Sequence, residues 1–182
     1  YSRYPQAYSS IAVTKGKWYF EMKPISGDVY NIGVFSPEDF ASDSTTNPYG
    51  GEAATGAIYT EGGEVRQNNS TTGSMGTYDD GNIVGCALDM DNRKIYFAVN
   101  NNWANSANPA NGTNGATWNT SWSDTVYPAG SCAQNNSIFF IYGGYTSLSS
   151  YTNTDANGYG GFYYTPPSGF YAICTKNLAQ YG

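Results

Sequence analysis

The 182-residue chain contains no histidine, and only 12% of its residues are charged. Without imidazole the commonest general base is missing, and Ser–His or Cys–His nucleophile pairs cannot be built. Its eight Lys and Arg residues are scattered along a chain of net charge −6. That supply is too small and too dispersed to neutralise the phosphates of a nucleic acid or to grip an anionic membrane surface. No run of about 18 apolar residues occurs, so no segment reads as a membrane-inserting helix. The cysteines, Cys86, Cys132 and Cys174, are an odd number that cannot pair completely. Each sits in or beside an apolar strand-like run, which points to buried thiols rather than a disulfide scaffold. Their spacing matches no metal site, and neither metal nor cofactor is expected.

What the chain has in quantity is glycine (22) and tyrosine (18), with 40% hydrophobic residues overall. This mixture favours short strands, tight turns and polar loops over helices, and no stretch sustains helical periodicity. From Lys17 to Lys23, Trp18, Phe20 and Met22 alternate with Tyr19, Glu21 and Lys23, so an apolar face is expected to turn inward and a polar face outward. From Gly81 to Phe97 two apolar runs meet across a polar turn, the pattern of a hairpin in a buried sheet. Its strands are expected at Ile83–Asp89 and Lys94–Val99, and further strands at Ile11–Thr14, Asn31–Phe35, Thr55–Tyr59, Glu64–Asn68, Val126–Cys132, Ser137–Tyr142 and Gly169–Thr175. A short helical turn is expected at Pro37–Phe40, where Ser36 can cap and Pro37 suits the first helical position. Short strands divided by turn chemistry imply an all-β fold, a single antiparallel β-sandwich with long connecting loops. Residues 1–182 are expected to form one domain, and a start at Tyr1 without a leader suggests a piece of a longer protein.

The three long loops are Ala41–Glu52, Asn100–Asp124 and Gly143–Gly161. Loops of this length in a compact domain are usually functional or mobile. The middle one sets Trp103, Trp118 and Trp122 among Asn, Ser, Thr and Gly, the composition of a recognition surface. The competing reading folds these tryptophans inward as plugs at the sheet edge. The carboxylate pairs Asp79–Asp80 and Glu61–Glu64 read as turn acids rather than a catalytic pair. Asp89-Met90-Asp91-Asn92 lacks the central Gly and distal Glu of a calcium loop and reads as a hairpin tip. Asn-x-Ser/Thr sequons at Asn68, Asn69, Asn111, Asn119 and Asn135 follow from a chain rich in these residues.

In order along the chain, several segments resemble the SPRY domain family. Gly16-Lys17-Trp18-Tyr19-Phe20-Glu21-Met22 is similar to the family's early G-x-x-Y-W/F-E-V strand, and Asn31-Ile32-Gly33-Val34-Phe35 to its I/V-G-V strand. Gly56-Ala57-Ile58-Tyr59 with Gly63 resembles the next hairpin. Asp80-Gly81-Asn82-Ile83-Val84-Gly85-Cys86-Ala87-Leu88-Asp89, followed by Lys94-Ile95-Tyr96-Phe97, resembles the block G-D-x-I/V-G-x-x-L-D … G-x-I-x-F. Tyr127-Pro128-Ala129 and Gly169-Phe170-Tyr171-Ala172-Ile173-Cys174 complete the order. Asn82 departs from the usual acid, and Asn92-Arg93 from the usual turn glycine, where Asn is expected to accept the left-handed conformation. Trp103, Asn108-Pro109 and Gly112-Thr113 are similar to an N-G-x-W … P-x-x-G-T loop in SPRY modules of large tailed-bacteriophage virion proteins. The endings Tyr164–Phe170 and Cys174–Leu178 are similar to that subgroup too.

The resemblance implies a non-catalytic recognition or structural module of a virion protein, of tail-fibre or related type, located in the extracellular particle. Its partners would be a host-surface protein or glycan, or neighbouring virion subunits, and it would form a homo-oligomer through the parent protein. The candidate contacts are Tyr49, Trp103, Trp118, Trp122, Tyr145 and Tyr151, which can stack on sugars or enter protein pockets, with Asn101 and Asn108 as polar partners. The alternative is a cellular SPRY adaptor that grips a short peptide of a partner protein.

Overall fold

The computed structural model describes residues 6–27, 29–36, 56–67, 70–117, 124–133, 137–142 and 150–182. They gather into two compact units. The expected helical turn at Pro37–Phe40, the loop Ala41–Glu52, and Tyr49, Trp118, Trp122 and Tyr145 lie outside the described residues.

The first unit comprises Tyr1–Val13, Pro24–Asn82 and Trp118–Ile138. Its strands are β1 (Gln6–Tyr8), β3 (Tyr30–Phe35), β4 (Ala57–Thr60), β5 (Glu64–Gln67), β6 (Ser70–Ser74) and β11 (Tyr127–Cys132). They form one antiparallel sheet in the order β1-β11-β3-β4-β5-β6. Every residue of β3 is buried, and Gly33 is there because its backbone nearly touches β4. A Cβ at Gly33 would lie 1.9 Å from the Ala57 carbonyl oxygen. Phe35, Ile58 and Ala129 form an apolar cluster against which Tyr8 packs edge-on, with ring centroids 5.6 Å apart. The buried Tyr78 hydroxyl donates to the carbonyls of Tyr30 (2.9 Å) and Tyr59 (3.0 Å), fastening the segment after β6 to β3 and β4. Burial pushes the Tyr59 hydroxyl up to about 12.

The second unit comprises Thr14–Lys23, Ile83–Thr117 and Phe139–Gly182. Its sheet runs β10 (Ala116–Thr117), β8 (Lys94–Val99), β7 (Val84–Asp89), β2 (Lys17–Ser26), β12 (Ser137–Ile141). The tail of β2 from Pro24 falls in the first unit. Strand β9 (Asn102–Trp103) folds back on β8, and β13 (Tyr171–Ala172) lies parallel to β2 at Trp18 and Tyr19. Trp18, Phe20 and Met22 are fully buried, as their spacing requires. The opposite face differs from the expected solvent-facing one: Tyr19 is 2% exposed and Glu21 0%. Residues beyond 150 cover it. Tyr151, Phe162, Phe170 and Ala172 pack with Tyr19, Ala87 and Tyr96 in one cluster.

The hairpin β7–β8 closes with a tied turn. The Asp89 carboxylate accepts from the Asn92 backbone N–H (3.0 Å) and side-chain amide (2.9 Å), and pairs with Lys17 Nζ at 3.0 Å. Asp91 accepts from the Gly16 N–H at 2.8 Å. The left-handed residue in this turn is Arg93 (φ 51), not Asn92, whose backbone N–H and side-chain amide are both bound to Asp89. Two strand expectations shrink. Of Ile11–Thr14, Val13 alone pairs, with Val126. Of Gly169–Thr175, Tyr171–Ala172 is strand, and the chain then enters helix α1 (Thr175–Tyr181). Lys176, Leu178, Ala179 and Gln180 favour a helix, but its seven residues are too few to show a period.

Candidate functional site

The loop leaving β8 is built from asparagine backbone chemistry. Val99 pairs with Asn102 across Asn100 and Asn101, which have φ of 48° and 66°. Two consecutive positive φ angles are what the tightest hairpin turn demands, and Asn is among the few residues that supply them. The Asn100 side-chain oxygen accepts from the Ile83 N–H at 2.9 Å, which anchors the turn to the start of β7. After β9 comes a 3-10 turn at Ala104–Ser106, with Asn105 (φ 55) and Ser106 (φ 53) again left-handed.

A second small unit follows. Asn108 and Thr113 exchange backbone hydrogen bonds at 3.1 and 3.2 Å around a 3-10 turn at Pro109–Asn111. Pro109 fits the first helical position, the Asn108 side chain accepts from the Asn111 N–H, and Gly112 (φ 79) ends the turn. The Asn111 side-chain oxygen accepts from the Thr113 N–H (3.2 Å) and hydroxyl (2.8 Å). Lys94 Nζ donates to the Gly112 carbonyl at 2.6 Å, pinning this turn to β8. The Asn114 amide donates to the carbonyls of Asn105 and Ser106 at 3.2 and 3.3 Å, linking the two turns. Gly115 lets the chain pass over the Tyr96 ring, where a Cβ would come within 2.4 Å. The Asn108-Pro109 and Gly112-Thr113 pairs of the sequence motif are therefore the two ends of one capped turn.

Of the sequence-derived contacts, Asn101 and Asn108 are exposed. Trp103 is half-buried and packs on the cluster of Tyr19, Tyr96 and Phe162, beside Ala107 and Tyr159. Part of Trp103 is thus turned inward and part is left open to solvent. Tyr151 is 8% exposed and is a member of that cluster, so the structure places it in the core rather than on a contact surface. Trp103 and Tyr151 thus meet through one apolar cluster, while Asn101 and Asn108 sit in separate turns of the loop.

Two groups escaped the sequence reading. Glu21, buried in β2, accepts from the Tyr19 hydroxyl (2.9 Å) and from the N–H groups of Tyr163 (2.8 Å) and Tyr164 (2.9 Å). Burial raises its carboxyl above the usual range, against those three hydrogen bonds. Asp155, 6% exposed, accepts from the N–H groups of Asn157, Tyr159 and Ala172 and from the Asn177 amide, all within 3.0 Å. Both carboxylates clamp the cover over β2, a structural duty. A polar residue in a strand gives no local sign of what will cover it. Among the described residues no His, Cys, Asp or Glu cluster could hold a metal.

The family model of the SPRY domain matches residues 17–145. That span includes the β7–β8 hairpin and the whole loop after it, and ends before Gly169–Cys174. Among solved structures the chain is similar to the SPRY domain of human HERC1, at 16% identity over 76% of this chain and 82% of that chain, with a TM-score of 0.56. At that identity the likeness speaks for the fold, an antiparallel all-β fold of the SPRY β-sandwich class. No curated protein matches the sequence.

Proposed function

The chain belongs to the SPRY family, and from that premise we propose that it is the recognition module of a bacteriophage virion protein, of tail-fibre or related-appendage type. SPRY domains are non-catalytic protein-interaction modules. The working surface is the loop Asn100–Asp124, of which Asn100–Thr117 is described, and the partner is a host-surface molecule or a neighbouring virion subunit. The observation that carries this reading is the architecture of that loop. The residues that resemble the phage subgroup, Trp103, Asn108-Pro109 and Gly112-Thr113, are the ones that cap and shape a self-bonded surface projecting from the family's hairpin. A chain without histidine has little to offer chemically at such a surface and much to offer by shape. The domain would act in the extracellular particle, as one copy in an oligomer assembled by the parent protein.

The test replaces Trp103, Trp118 and Trp122 by Ala in the parent virion protein, with circular dichroism and urea unfolding as folding controls. Loss of host adsorption or of particle assembly by a folded variant is the expected result. Unchanged adsorption and assembly overturn the proposal, and capture of a peptide from a cellular protein would move the chain to the adaptor class.

A further inference from the structure

Resting on that reading, we propose that the ligand of the Asn100–Thr117 loop is a neutral glycan. The 18 residues from Asn100 to Thr117 contain seven asparagines and not one charged side chain. Lys94, which reaches the loop from β8, is engaged by the Gly112 carbonyl. The side chains of Asn100–Thr117 themselves therefore supply no cation with which to grip a phosphate, sulfate or carboxylate.

The asparagines divide into two sets. Asn100, Asn108, Asn111 and Asn114 use a side-chain oxygen or amide to hold the loop together. Asn101, Asn102 and Asn105 are exposed, and their amides make no hydrogen bond among the described residues. Each presents one acceptor and two donors in a plane, a set that adjacent hydroxyls of a sugar ring can meet. Trp103 lies between them in the chain, half-buried against the core cluster, and its open part is apolar surface of the kind a pyranose can pack on. The left-handed turns fix the backbone beneath these groups before any ligand arrives, so little ordering remains to be done on binding.

The experiment titrates the 182-residue chain, by NMR, with dextran, mannan and galactan oligosaccharides and with alginate oligosaccharides as the anionic control. The variant Asn101→Gly/Asn105→Gly removes two amides while keeping residues that tolerate positive φ, so the fold is preserved. Trp103→Phe is the second probe. The expected result is binding to at least one neutral oligosaccharide and weaker or no binding to alginate. The loss in affinity should be about tenfold in the double variant, for two hydrogen bonds. Absence of binding to every neutral oligosaccharide, a preference for alginate, or unchanged affinity in the double variant overturns the proposal. A parallel measurement separates this claim from the recognition reading on which it rests. If the labelled chain binds host cells and periodate oxidation of their surface diols leaves binding intact while protease abolishes it, the glycan assignment falls and recognition stands. If host cells and virion proteins alike leave it unbound, recognition itself falls.

Discussion

At the scale of single residues, Glu21 shows how a polar side chain becomes structural once its face is covered. Its carboxyl is held by one hydroxyl and two backbone N–H groups, yet burial dominates and raises its proton affinity in the folded state. A carboxyl with a folded pKa above its unfolded value binds more protons in the folded chain. Its contribution to stability is therefore full below the unfolded value, about 4.3, and is lost as pH rises through the folded value. The urea midpoint of the wild type should fall across that window relative to Glu21→Gln, whose side chain does not titrate. Parallel pH profiles for the two proteins would contradict the assignment. Gly33 is decided by distance alone. A methyl group 1.9 Å from the Ala57 carbonyl oxygen must push β3 and β4 apart. Gly33→Ala should destabilise the chain by about 3 kcal/mol, read by urea unfolding.

At the scale of elements, helix α1 and strand β13 are held to the second sheet by a polar network. Asn177 is fully buried, donates to the Asp155 carboxylate (2.7 Å) and the Ala172 carbonyl (2.9 Å), and accepts from the Asn157 amide (2.9 Å). Asn177→Ala leaves buried groups unpaired and should lower stability by about 2–3 kcal/mol. Amide exchange should accelerate in Tyr171–Tyr181 before it does in β7 or β8; uniform acceleration would show that the cover does not open as a unit. The same elements mark what the sequence could reveal. Lys94–Val99 is legible to the residue, because an apolar run between turn residues belongs to any buried strand. The cover over Tyr19 and Glu21 is not, because its partners are distant in the chain, 142 positions apart in the Glu21 bond to the Tyr163 N–H. The Asn100-Asn101 turn did carry a readable signal, a pair of turn-forming residues directly after a strand. It was hidden within a stretch so rich in Asn that each asparagine looked like surface.

At the scale of the whole molecule, the described strands of each unit supply rigid sheet, and the loop after β8 supplies a neutral, tightly bonded surface anchored by Trp103. Tyr151, expected at the surface, belongs with the frame. In the proposed function the family's hairpin gives support and the loop it projects gives contact: β7 and β8 are buried along most of their length, while the exposed amides of Asn101, Asn102 and Asn105 stand beyond them. The most direct test of this division is a map of backbone amide shifts on the 182-residue chain as host-envelope extract is added. Shifts concentrated in Asn100–Thr117, with the Trp103 indole among the most affected, are the predicted result. Shifts concentrated instead along the edge strand β6 or around Ile25 and Tyr163, with the loop unmoved, would contradict it.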